Sequence, residues 1–64
     1  MADYIELNAF IKKNSLAATG GQAKVLIRSG AVLLNGRVET QNRKKLVEGD
    51  VVEVNGTGYA VTLQ

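Results

Sequence analysis

This 64-residue sequence predicts an α+β fold, two short helices packed on a small, mainly antiparallel sheet. Three observations predict it. Up to residue 30 the apolar residues recur at helical spacing, and from residue 32 onward they fall into short strand-like runs. Between such runs stand two Asn-Gly pairs, Asn35-Gly36 and Asn55-Gly56, where they reverse a chain tightly. A chain of this length reads as one domain over residues 1–64, because it buries only roughly 60% of its unfolded surface and has no apolar residues left for a second core.

The first element is a short strand at Tyr4 and Ile5. Leu7, Phe10 and Ile11 then recur with helical period, and Asn8 is a suitable N-cap for a helix from about Ala9 to Lys13. Lys12 and Lys13 sit in its last turn, where the helix dipole favours cations, and Asn14 is the expected left-handed residue that ends it.

The second helix has the densest signals. Thr19 and Gln22 have the spacing of a capping box, in which each side chain satisfies an orphan amide at the helix start. Ala23, Leu26, Ile27 and Gly30 follow at i, i+3, i+4 and i+7, one buried stripe, and Gly30 suits the position just past the end. The helix therefore stops near Ser29. At about 100° per residue, Lys24 and Arg28 lie about 40° apart on a flank of that stripe, on the same side as Gly20 and Gly21.

Val32, Leu33 and Leu34 lead into Asn35-Gly36, with Arg37 beside the turn and Val38 after it. A two-residue turn pairs Leu34 with Arg37 and Leu33 with Val38, whereas a longer loop moves Val38 to the other face. Residues 40–45, Thr-Gln-Asn-Arg-Lys-Lys, have no hydrophobic period and read as a basic loop, with Leu46 and Val47 as anchors after it. Gly49 and Asp50 turn the chain into a strand from Val51 to Val54. Asn55 to Gly58 reverses it again, and Tyr59, Val61 and Leu63 alternate as a half-buried strand should.

The net charge of +2 hides a strong segregation. All eight basic residues lie between positions 12 and 45, where Glu39 is the single acid, so that segment carries +7; the two ends carry five acids and no base. A basic face offered to a polyanion is the reading this pattern supports. The chain has no Cys and no His, which removes disulfides, the usual zinc ligand sets and the commonest catalytic bases. Glu48 and Asp50 read as turn residues and not as paired catalytic carboxylates. No enzyme activity, metal or cofactor is expected. The longest apolar run, Ala31 to Leu34, is far short of the ~20 residues of a membrane span, and residues 1–7 lack the features of a signal peptide, so a cytoplasmic protein is expected.

The candidate binding residues are Gly20, Gly21, Lys24, Arg28, Arg37, Arg43, Lys44 and Lys45. Free amides at the start of the second helix attract anions, and glycine lets a phosphate approach the backbone closely. The spacing of GGQAK is wrong for a nucleotide-binding P-loop, so a single backbone phosphate is the more modest assignment. Close packing of the first helix on the second would also call for small residues at Gly20 and Gly21, and the two readings are compatible. Few aromatic residues are available for stacking, so phosphates and the shape of a structured RNA are the expected target.

The residues resemble an S-four-type RNA-binding domain, named after a small-subunit ribosomal protein and built on the alpha-L motif, in its short stand-alone bacterial subgroup. The resemblance is carried by Leu7, Asn8, Ala9, Phe10 and Ile11; by Thr19, Ala23, Lys24, Leu26, Ile27 and Gly30; by Val32, Leu34, Asn35, Gly36 and Arg37; and by Gly49, Asp50, Val51 and Val52. It implies RNA binding through the second helix and the following turn, while the RNA target of multidomain members does not carry over. The chain is expected to be a non-catalytic monomer that binds structured RNA, ribosomal RNA or tRNA, on or near a ribosome or other ribonucleoprotein. The sequence departs from many members at Gly20, where they have an arginine. A small protein-interaction adaptor, using exposed Val25 or the edge of the C-terminal sheet, is the alternative.

Overall fold

The computed structural model describes residues 3–63, so the outermost ends of the expected 1–64 domain, and the first residues of the signal-peptide reading, lie outside the described residues. Eight short elements follow one another: β1 Ile5–Glu6, α1 Leu7–Lys13, α2 Gly20–Arg28, β2 Val32–Leu34, β3 Arg37–Val38, β4 Lys45–Leu46, β5 Val51–Val54 and β6 Thr57–Ala60. The strands form two antiparallel sheets where one was expected: a small pair, β1 with β4, and a four-stranded sheet in the order β3-β2-β5-β6. Leu7, Phe10 and Ile11 of α1 and Ala23 and Ile27 of α2 are buried with Val32, Leu46, Val52, Val54 and Val61 in one core. The predicted stripes of both helices are therefore the faces that pack.

Helix α1 starts two residues earlier than the sequence predicts, and Asn8 is not its N-cap. Glu6 holds that position in extended conformation without a side-chain capping bond. The first-turn amides are satisfied instead by remote backbone: Leu7 N–H donates to the Lys44 carbonyl at 2.8 Å and Asn8 N–H to that of Asn42 at 3.0 Å. A side-chain cap is thus unnecessary. At the other end the left-handed residue is Ser15, at φ 60, and not Asn14, at φ −91. Leu16 N–H reaches back to the Ile11 carbonyl and Ser15 N–H to that of Lys12, both at 3.0 Å, the paired bonds of a Schellman motif. Asn14 contributes differently, its side-chain amide donating to the Phe10 carbonyl at 3.0 Å.

Helix α2 begins as predicted. Thr19 Oγ1 accepts from Gln22 N–H at 3.1 Å, while Gln22 Oε1 accepts from Ala18 N–H at 3.0 Å, one residue before the amide of the ideal box. Gly30, at φ 85, ends the helix. A side-chain carbon there would lie 3.9 Å from Val38 Cγ1, so the end of α2 rests beside β3.

The open question of register is resolved in favour of the two-residue turn, with Leu34 opposite Arg37 and Leu33 opposite Val38. Asn35 and Gly36 have φ of 51 and 86, and Asn55 and Gly56 have 54 and 79. Positive φ at both central residues is what a type I′ turn requires. The second turn is therefore shorter than residues 55–58, and Thr57 and Gly58 already belong to β6. Residues 40–45 are not wholly loop either, since Lys45 lies in β4, opposite Glu6. Tyr4 precedes β1, which is Ile5–Glu6. Of the two expected anchors, Leu46 is fully buried and Val47 half exposed.

Candidate nucleic-acid interface

Ala23 and Ile27 turn inward and Leu26 packs half-buried against the same core, so Lys24 and Val25 between them turn outward. Gly20, Gly21, Lys24 and Arg28 are all exposed on α2, and Arg37 is exposed at the start of β3, the strand against which the end of α2 rests. Leu7 to Val38, the segment that forms both helices and this hairpin, contains five basic residues and no acid. The segment itself supplies no carboxylate to offset those charges; acids reach it from outside, with Asp50 bonded to Asn35 and Glu53 opposite Leu33.

The packing explanation for the paired glycines does not hold. A side-chain carbon built on Gly20 would meet nothing within 4 Å, and one on Gly21 would meet only Thr19 Oγ1 at 3.9 Å. Neither has a positive φ. Glycine is unfavourable in a helix by about 1 kcal/mol relative to alanine, and nothing inside the chain requires it twice here. With Gln22 N–H bonded to Thr19 Oγ1 and Ala23 N–H to the Thr19 carbonyl, the amides of Gly20 and Gly21 are the two in the first turn that find no partner among the described residues. Bare, outward-facing backbone with free donors at a helix N-terminus is suited to an anion.

The second basic group is built differently. Arg43 Nε donates to both carboxylate oxygens of Glu6, at 3.3 and 3.2 Å, and Lys45 Nζ lies 4.9 Å from the centre of the Tyr4 ring. Lys44 supplies the carbonyl that caps α1. These three residues thus sit with β1 and the start of α1, beside a carboxylate, whereas Lys24, Arg28 and Arg37 sit on α2 and β3. The structure divides the eight candidates into an acid-free α2 group and a partly neutralised β4 group. Glu6 and Arg43 are 37 positions apart, and no local pattern in the sequence announces their pairing.

The carboxylates near the C-terminal turns have structural roles, as the sequence suggests. Asp50 Oδ2 accepts from Val47 N–H at 2.9 Å and its Oδ1 from Asn35 Nδ2 at 3.1 Å; these bonds hold its pKa below the ordinary aspartate value, the Val47 amide contributing most. Glu48 Oε1 accepts from Leu63 N–H at 2.8 Å. No cluster of three or more potential metal ligands occurs among the described residues, and no described helix is long and apolar enough to cross a membrane.

A shallow groove adjoins the α2 flank. Leu16, Ala17, Gly21, Val25 and Leu26 line it together with the polar Gln22 and Ser29, and Val25 is 70% exposed.

Comparison with known proteins agrees with this architecture. Residues 1–62 match the family model described as S4 domain. The chain is 38% identical over 58 residues to YbcJ of Escherichia coli (strain K12), named as a candidate RNA-binding protein, covering 91% of this chain and 83% of that one. It is 36% identical over 56 residues to RlbA of Bacillus subtilis (strain 168), named as a candidate ribosome maturation protein, covering 88% and 79%. The solution structure of Escherichia coli YbcJ, described as revealing an alpha-L motif involved in RNA binding, superposes with a TM-score of 0.72 at 33% identity, covering 98% of this chain and 80% of that one.

Proposed function

This chain belongs to the S4 domain family, and from that premise we propose that it is a non-catalytic, cytoplasmic, monomeric module that binds structured RNA, ribosomal RNA or tRNA, within a ribosome-associated particle. The observation that carries the reading is the set of exposed cations on α2 and β3: Lys24, Arg28 and Arg37, on a helix whose first turn at Gly20 and Gly21 is bare and on the strand beside its end. Such a surface engages phosphates and the shape of a folded RNA more than base sequence. Arg43, Lys44 and Lys45 form the outer edge of the contact, where Glu6 weakens the attraction. The relatives named for RNA binding and for ribosome maturation support the same reading.

Titrating a labelled ribosomal RNA hairpin at several salt concentrations tests it. With about four to six phosphates neutralised, affinity falls steeply with salt, at a slope of roughly −0.7 to −0.9 in log K against log salt per contact. A flat salt response would remove the proposal.

A further inference from the structure

The groove between the α1–α2 connection and α2 shares only Gly21 with the phosphate contacts described above, and it opens onto the same flank. Its floor is aliphatic, from Leu16, Ala17, Val25 and Leu26. Its rim is cationic: Arg28 is three residues beyond Val25, and Lys24 three beyond Gly21, so each cation is a surface neighbour of a groove residue. No acid occurs anywhere from Leu7 to Val38.

We infer that this groove receives one unpaired nucleotide of the bound RNA, its base lying over Val25 and Leu26 while Lys24 and Arg28 hold the phosphates on either side. The inference rests on the RNA-binding reading of the α2 flank and adds what kind of RNA that flank selects. Size and charge together choose the occupant. A groove of about 430 Å³ is at the lower end of ligand pockets, roughly 300–1,000 Å³. A specific protein contact buries about 1,000 Å² or more and seats several anchors, which this groove cannot supply alone. One nucleotide combines a flat, weakly polar base with negative charge on both sides, which matches an aliphatic floor under a cationic rim. Gly21 has no side chain between the groove and that rim, so the sugar-phosphate chain can pass close to the helix. Bases inside a duplex are stacked and cannot enter, so the ligand must present a bulge or loop. The groove has no aromatic ring, and its two polar side chains already have bonds within the chain: Gln22 Oε1 accepts from Ala18 N–H and Ser29 Oγ donates to the Leu26 carbonyl.

Three labelled RNA hairpins with identical stems test this by fluorescence anisotropy: one fully paired, one with a single-nucleotide bulge, and one whose bulged position is abasic. The wild-type chain should bind the bulged hairpin roughly tenfold more tightly than the paired one, as burial of a base face against aliphatic side chains would give, and the abasic bulge should lose that gain. Val25→Gln places a polar amide on the groove floor at a largely exposed position, so the fold survives, which circular dichroism verifies; the ratio of bulged to paired affinity should then fall to about one. Equal, salt-dependent binding of all three hairpins by the wild type would overturn the inference, assigning the groove to a protein partner or to nothing, while leaving the proposed function standing. A tenfold ratio that survives Val25→Gln would overturn it too, since the base would then lie elsewhere. Absence of salt-dependent binding to all three would remove both.

Discussion

Asn35 and Asp50, fifteen positions apart, clamp two turns together: Asn35 Nδ2 donates to Asp50 Oδ1 at 3.1 Å, and Asn35 Oδ1 accepts from Val51 N–H at 2.9 Å. Asn35 N–H also donates to the Val51 carbonyl, at 2.8 Å. The type I′ turn that leads into Arg37 is thereby fixed to the turn that starts β5. A residue chosen for positive φ also positions the hairpin through its side chain.

Two substitutions separate those contributions. Asn35→Gly keeps the backbone conformation and loses the side-chain bonds, and it should cost roughly 1–2 kcal/mol for bonds at an exposed site. Asn35→Ala loses the same bonds and must also hold a left-handed conformation, adding about 1 kcal/mol. Urea denaturation should rank the stabilities as wild type, then glycine, then alanine. An alanine variant as stable as the glycine variant would show that the turn relaxes out of positive φ.

Acid should loosen the same clamp. The Asp50 pKa is depressed in the fold, first by the Val47 amide and next by Asn35. Its contribution is therefore fully present above the unfolded aspartate value, about 3.9, and is lost as pH falls through the lower folded value. Asp50 is only half-buried and solvent screens its charge, so the effect is small. Between pH 5 and 2, wild type should lose more stability than Asp50→Asn when urea midpoints are compared. Parallel curves would mean the carboxylate charge contributes nothing.

Replacing both paired glycines should move stability and binding in opposite directions. Gly20→Ala with Gly21→Ala adds side chains into open space and raises helix propensity, so the melting temperature should rise by a few degrees, equivalent to about 0.5–1.5 kcal/mol. RNA affinity should fall, because the added methyl groups obstruct approach to the first-turn amides. If affinity stays constant, the glycines are not a phosphate contact.

The cationic residues should not be equivalent. Lys24→Glu with Arg28→Glu should leave the circular dichroism spectrum unchanged and abolish RNA binding, since both side chains are exposed and unpaired among the described residues. As single neutral changes, Lys24→Gln and Arg28→Gln should each reduce the salt slope by about 1. Arg43→Gln should reduce it less, because Glu6 already offsets that charge. An equal loss at Arg43 would show that RNA displaces Glu6.

The sequence by itself determined most of what depends on neighbours within about four positions, with the end of α1 at Ser15 and the bond from Ala18 N–H to Gln22 as the local exceptions. The buried stripe of α2, the bond from Gln22 N–H to Thr19, the stop at Gly30, both Asn-Gly hairpins and the flank of Lys24 and Arg28 are consequences of helical period, capping chemistry and positive φ. Tertiary structure decided what depends on distant partners. It replaced Asn8 as the cap of α1 with the carbonyls of Asn42 and Lys44, paired β1 with β4, set Arg43 against Glu6 and clamped Asn35 to Asp50. Those pairings join short polar segments that have no period to reveal them, and only closure of the apolar core brings them within reach. For the same reason the acid-free flank could be read along one helix, whereas the neutralisation of the second basic group could be seen only after the chain had folded.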